Sequence, residues 1–201
     1  MRYDYSNVFW GENPTDQRRL RLYVDWFDKN LGSDFGYLDW GTVFSGTVPL
    51  GSPRWIAAGQ VFNGFSTAFN SIVPNQGLYS LGGQRSIRGI GAEEQLARNI
   101  MVLRTEIRYA IYPELDLNLL DWLVLRRLQA HVLLDTGNVS NSAGRIYDVG
   151  RWAAGAGLGL GLFYDFLGFF PASVYFEVAT RVDDPSQASD VQFLFGSEQA
   201  F

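Results

Sequence analysis

Two kinds of side chain in this sequence are suited to holding one another: a loop arginine and a strand carboxylate. The run Gly82-Gly83-Gln84-Arg85-Ser86-Ile87-Arg88-Gly89-Ile90 ends a loop on an arginine beside a glycine. Later, Arg127-Leu128-Gln129-Ala130-His131-Val132-Leu133-Leu134-Asp135 alternates polar with apolar residues, and Asp135 falls in the polar phase. Successive strand residues point to opposite sides, so this carboxylate faces away from the apolar surface. A guanidinium is a planar fork that stays charged at any relevant pH and pairs with carboxylates. The combination suggests a plug pinned inside a β-barrel, a chemistry of holding and not of bond-making. On the residues alone the alternative stays open that Arg88 is a solvated loop arginine and that Asp135 starts a turn into Thr136-Gly137.

Other chemistry has little support. Gly155, Gly157, Gly159 and Gly161 alternate strictly with Ala154, Ala156, Leu158 and Leu160. No Lys-Ser/Thr pair follows them and no helical pattern begins there, so they do not form a phosphate loop. Glycine weakens a strand, and four in register suggest that something packs very close to that face, as an inserted loop would. His131 and Asp135 share a strand face but stand about 13 Å apart at i, i+4, too far for a catalytic dyad. His131 reads as a polar residue lining a lumen. Glu93-Glu94 and Asp183-Asp184 read as solvated loop acids. With one His and no Cys, neither a thiolate metal site nor a multi-histidine cluster is available. No nucleophile motif is visible. The expectation is therefore no enzyme, no cofactor and no metal. A net charge of -5 lacks the basic footprint of a nucleic-acid binder.

The elements that must position these residues are strands. Leu20, Leu22, Val24 and Trp26 share one face, with Arg19, Arg21, Tyr23 and Asp25 on the other. Period-2 alternation recurs along most of the chain and predicts about nine strands, near 2–10, 18–29, 36–48, 53–66, 100–112, 122–136, 151–164, 172–182 and 190–196. Asn13-Pro14, Gly32-Ser33-Asp34, Gly51-Ser52-Pro53, Asn138 to Gly144 and Asp183-Asp184-Pro185-Ser186 supply turn chemistry. The 67–99 segment is too long for a hairpin turn and reads as a functional loop. The 113–121 segment reads as a solvent-facing turn. Aromatics at 15% fit the girdles of a membrane barrel, and no apolar run suits a transmembrane helix. Residues 1–20 lack a signal-peptide pattern, so the chain reads as a mature protein or a piece of a longer one. Nine is an odd count for a closed bacterial barrel, and an open edge in lipid leaves backbone groups unpaired. The expected fold is all-β: residues 1–201 as the C-terminal part of one antiparallel transmembrane barrel, not stable by themselves.

Several elements carry a resemblance. Gly82-Gly83 followed by Ser86-Ile87-Arg88-Gly89-Ile90 resembles the sixth-loop motif of the BamA/TamA-type outer-membrane assembly factors, the bacterial surface antigen family. Ile87 stands for the usual aliphatic and Ile90 where an aromatic is commoner. Leu103-Arg104-Thr105-Glu106-Ile107-Arg108-Tyr109 is similar to the family's next strand, whose glutamate faces the lumen. Leu133-Leu134-Asp135-Thr136-Gly137 resembles its aromatic-x-Asp-x-Gly element, with Leu133 in the aromatic position. The resemblance covers 78–201 by motif and 1–77 by strand pattern. It implies a sixteen-stranded barrel in which the 67–99 loop enters the lumen and Arg88 meets Glu106 and Asp135, with Gly89 allowing close approach and Gly137 part of the same element. Phe193 and Phe195 on one face, with Phe201 at the end, resemble the last-strand signal of outer-membrane barrels; an ordinary edge strand is the alternative.

The function so implied is insertion, assembly or translocation of proteins at the bacterial outer membrane. Its partners would be the outer-membrane lipid bilayer, client outer-membrane proteins and accessory lipoproteins, with no nucleic acid. Two alternatives stand beside it: a barrel that secretes or anchors a fused passenger, of patatin or two-partner type, and a soluble ligand-binding β-sandwich.

Overall fold

The alternation seen in the sequence becomes a single antiparallel sheet. The computed structural model describes residues 2–6, 16–28, 30, 32–69, 72–92, 94–119, 122–168, 170–184 and 191–197. Twelve strands are described: β1 (Arg2–Ser6), β2 (Gln17–Phe27), β3 (Tyr37–Pro49), β4 (Trp55–Ala68), β5 (Tyr79–Leu81), β6 (Gln95–Ala97), β7 (Asn99–Tyr112), β8 (Leu117–Leu119), β9 (Leu123–Ser140), β10 (Ala153–Phe166), β11 (Phe170–Arg181) and β12 (Gln192–Gly196). Nine of them form the wall in the order β1-β2-β3-β4-β7-β9-β10-β11-β12. Every wall pair is antiparallel and sequential, and the sheet does not close on itself.

Register sorts the side chains into two faces. Arg104 lies opposite Asp135, and Asp135 opposite Gly155, so these three share the inner face. Glu106, Arg108, His131, Glu177 and Gln192 fall in the same phase across β7, β9, β11 and β12. The outer face carries Leu22, Val24, Trp26, Val132, Leu134, Leu158, Leu160, Phe176, Phe193 and Phe195, all exposed. No helix among the described residues is long and apolar enough to cross a membrane. The apolar core sits between sheet and loop: Leu81, Ile87 and Ile90 pack on Ile100, Val102, Val139 and Ala153.

Three expectations need correction, and the long loop gains detail. The 113–121 segment is not only a turn, because β8 folds back and pairs with β9. The strand expected to stop at 136 runs to Ser140, because Asn138, Val139 and Ser140 stay paired with Met101, Ile100 and Asn99 of β7, and the turn begins beyond it; the Asn138 Nδ2 donates to the Arg145 carbonyl at 2.9 Å. The 67–99 loop has structure of its own, a β5–β6 hairpin. The glycine row of β10 is only partly explained by the loop. A Cβ on Gly155 would run into the Arg88 carbonyl, but Gly157 backs onto Val178 and Ala179, Gly159 onto the His131 ring and Gly161 onto the Tyr175 ring. Three of the four glycines therefore make room for neighbouring strands and their rings. The Asn13-Pro14 turn, Pro185-Ser186, Glu93 and Phe201 lie outside the described residues.

Candidate functional site

The loop tip is a tight turn. Gly82, Gly83 and Gly89 have φ of 101°, 82° and 89°, values that L side chains rarely adopt. The Gly83 N–H donates to the Ile90 carbonyl at 2.8 Å and closes the tip. That closure buries Ser86 and Ile87 and directs Arg88 into the inner face of the sheet.

Arg88 has no exposed surface. Its Nε donates to Asp135 Oδ2 at 2.7 Å and its Nη2 to Asp135 Oδ1 at 2.8 Å, a bidentate fork. The Arg88 backbone N–H also donates to Oδ2, at 3.1 Å. Nη1 reaches Glu106 Oε1 at 2.5 Å and Glu177 Oε1 at 2.9 Å. One guanidinium thus bonds carboxylates on three strands, β7, β9 and β11. Arg108 Nε donates to Glu106 Oε2 at 2.8 Å, and Arg104 Nε lies 3.7 Å from Asp135 Oδ2. Arg104 Nη2 reaches back to the loop, donating to the Gln84 carbonyl at 3.1 Å. Three buried arginines, Arg88, Arg104 and Arg108, therefore face three buried acids, Glu106, Asp135 and Glu177. The balance matters because an unmatched buried charge is costly. Burial opposes the charge on Arg88, but the Asp135 bonds and the nearby Glu106 outweigh it, so this guanidinium holds its proton more firmly than a free one.

Gly89 and Gly155 let the backbones meet. A Cβ on Gly89 would stand 2.6 Å from the Thr180 backbone, and the Gly89 N–H donates to Gln192 Oε1 on β12 at 3.3 Å. Gly137 backs onto Val102 of β7, and Ile90 sits in the apolar core. Phe193 and Phe195 stand on the outer face, each 71% exposed, away from the loop.

Sequence reasoning left four participants out of the site. Glu177 is the third acid, and its signal was available: it is the one acid in the apolar run Val174-Tyr175-Phe176-Glu177-Val178-Ala179. His131 donates from Nε2 to Glu177 Oε1 at 2.9 Å. Glu106, His131 and Glu177 bring ligand-type atoms within 4.8 Å of one another, but Arg88 Nη1 already lies between the two carboxylates. The other two are Tyr79 and Asp39, which form a second anchor at the opposite end of the loop. The Tyr79 hydroxyl donates to Asp39 Oδ1 and lies 2.8 Å from the Tyr23 hydroxyl. Burial first, then Asp39 and Tyr23, push the Tyr79 phenol well above its ordinary range, so it stays a donor. Gly64 and Gly41 leave room for the Tyr79 and Tyr23 rings. Ser66 Oγ also donates to the loop, to the Gly77 carbonyl at 2.8 Å. The loop acids are not simply solvated: Glu94 pairs with Arg181 at 2.5 Å, and Asp183 pairs with the same arginine at 3.0 Å.

The open antiparallel wall has a counterpart among solved structures. The fold is BamA-like. The chain aligns with BamA from Haemophilus ducreyi lacking POTRA domains 1-3, with a TM-score of 0.69, 20% identity and 98% of this chain covered. The chain spans 41% of that BamA structure. No protein-family model matches the sequence, and no curated protein matches it either. The likeness to BamA is therefore one of fold, at an identity too low to transfer residue roles.

Proposed function

We propose that this chain is part of an outer-membrane barrel that inserts, assembles or translocates proteins, with residues 67–99 folded into its lumen as a fixed loop. The observation that carries this reading is Arg88, with no exposed surface and bonded to carboxylates of three wall strands on a BamA-like sheet. A solvated loop arginine would not be held in this way. The outer face supports contact with lipid, since exposed apolar side chains run across it from Trp26 to Phe195.

In this reading Arg88, Glu106, Asp135 and Glu177 do no bond-making chemistry. They hold the loop so that the wall keeps one shape while its edge strands work. The edge strand β12 presents Phe193 and Phe195 to lipid and Gln192 to the loop. A short, five-residue edge strand is weakly held and suits a seam at which client strands pair. The partners would be the outer-membrane bilayer, client barrel proteins and accessory lipoproteins, and no cofactor is called for.

Membrane partitioning and heat-modifiable gel migration test the reading, with the chain alone and in the intact protein that carries it. A detergent-resistant, heat-modifiable band from the intact protein is the expected result. A soluble monomer without detergent would overturn the membrane reading. Depleting the protein and finding unchanged levels of other outer-membrane barrels would overturn the assembly role while leaving the barrel intact.

A further inference from the structure

The outer face carries many bulky apolar side chains, and at one place it falls to a pair of facing glycines. Arg18, Gly46, Gly59 and Thr105 lie in register across β2, β3, β4 and β7, all on the outer side. The next outward row toward the loop end holds Leu20, Phe44, Val61 and Leu103. On the other side stand Val48 and Ala57. Two facing glycines thus leave a trough between apolar ridges, with a cavity of about 260 Å³ lined by Phe44, Val48, Val61 and Leu103.

Wall packing does not demand glycine at 59. A Cβ there would meet only the Arg104 carbonyl, at an ordinary 3.7 Å. Gly46 is set by the Gln17 carbonyl, 2.9 Å from where its Cβ would be; Gly59 has no such neighbour, and since glycine weakens a strand interior, Gly59 is explained by the space it leaves open. The trough also has a polar end. Arg18 is exposed, lies opposite Gly46, and has its Cγ within 3.9 Å of where a Gly46 Cβ would be. It is the last outward residue of a strand whose outward row is otherwise Leu20, Leu22, Val24 and Trp26. An arginine at the end of an apolar row is the usual anchor at headgroup level, and guanidinium binds phosphate by a fork of N–H donors.

We propose that this trough is a binding site for one anionic phospholipid, with its phosphate on Arg18 and an acyl chain lying over Gly46 and Gly59. The proposal rests on the membrane-barrel reading. Charge and shape select the occupant together: an apolar slot needs an alkyl chain, and a cation at its mouth favours a negative headgroup over a neutral one. Anchoring a lipid on β2–β4 puts it on the part of the wall remote from β12.

The test is native mass spectrometry of the intact barrel, purified in detergent with equal amounts of phosphatidylglycerol and phosphatidylethanolamine. The wild-type protein is expected to retain one phosphatidylglycerol in severalfold preference over phosphatidylethanolamine. Arg18→Gln is expected to abolish the preference, and Gly59→Leu, which fills the slot, to lower retention of both lipids severalfold. Each protein is checked for its heat-modifiable band, so loss of the barrel is distinguished from loss of the site. Equal retention of the two lipids by the wild type, or unchanged retention in correctly folded Arg18→Gln and Gly59→Leu proteins, would overturn the proposal.

Discussion

The loop is tied to the wall at two ends that solve the same problem with different chemistry. At the β7–β11 end a guanidinium with no exposed surface serves Asp135, Glu106 and Glu177. At the β2–β4 end a phenol serves Asp39, beside Tyr23 and Ser66, in a part-buried setting. Both ends use glycine seats: Gly89 and Gly155 under the arginine, Gly41 and Gly64 under the tyrosine rings. The seats do for both what a side chain cannot, bringing backbone or ring into contact with the sheet. The difference lies in the energetic stake. A buried charge left without its partner costs about 3–5 kcal/mol, whereas a lost hydrogen bond to a part-buried carboxylate costs about 1.5 kcal/mol. The charged end should decide whether the loop docks, and the phenol end should refine where it lies.

The largest break in that comparison is Arg88→Ala. It leaves Glu106, Asp135 and Glu177 facing only Arg104 and Arg108, one positive charge short. The expected loss is about 3–5 kcal/mol, because the acids stay buried without compensation. Urea titration of the folded, heat-modifiable band measures it; a loss below about 1 kcal/mol would mean that the acids relax into solvent and that the loop is held elsewhere. Next comes Gly89→Ala. Its φ of 89° and the 2.6 Å approach of a Cβ to the Thr180 backbone act together. Strained backbone of this kind costs about 1–3 kcal/mol before the clash is counted. The same titration reads it, and Gly83→Ala, whose Cβ would stand 3.3 Å from Ala92, separates backbone strain from the clash.

These expectations also show what the chain discloses before folding. Glu106 and Asp135 were legible by strand phase, and register puts them on one face; that Arg88 meets them was legible only through the family resemblance, since strand phase does not place a loop residue. Most wall strands were legible for the same reason, since period-2 alternation is a local property. Glu177 was less legible, because a single acid in an apolar run points inward without saying toward what. Tyr79 and Asp39 were not legible at all. A tyrosine in a loop and an aspartate in a strand are ordinary, and they meet only because the β5–β6 hairpin sets the loop's path. The β10 glycines were read as a floor for the loop, yet His131 and Tyr175 fill most of that space. Which ring folds over which glycine is a property of three-dimensional packing and has no sequence period.

Glu177→Gln sharpens the charged end. It keeps the shape and the contact with Arg88 Nη1 but removes one charge from the set of three acids. Hydrogen bonds to charged groups contribute about 1.5–3 kcal/mol, and the amide retains part of that, so the expected loss is near the lower end. Glu177 lies on β11, adjacent to the edge strand, and the loop reaches β12 itself through Gly89 and Gln192. Amide hydrogen exchange on β12 is therefore expected to rise in Glu177→Gln, and to rise further in Arg88→Ala. Unchanged exchange on β12 in both variants would separate the loop from the edge and confine the lock to β7 and β9.

The smallest effect is expected from Tyr79→Phe at the other end. The ring still fits over Gly64, and Asp39 keeps Ser66 Oγ at 3.2 Å, so only the hydroxyl bonds are lost. The lost bond goes to a part-buried carboxylate that keeps another donor, so the expected cost is no more than about 1.5 kcal/mol. The informative quantity is its coupling to Arg88→Ala in a double-mutant cycle. The two anchors share no partner and stand at opposite ends of the loop, so independent anchors should add to within about 0.5 kcal/mol. A cost for Tyr79→Phe that disappears once Arg88 is gone would mean that the loop has already left the wall, with the arginine acting as the condition for the tyrosine contact. A cost that persists would mean that each end holds by itself and that the loop can open at one end while staying tied at the other. That second outcome would allow the tip to release β11 and β12 without emptying the inner face.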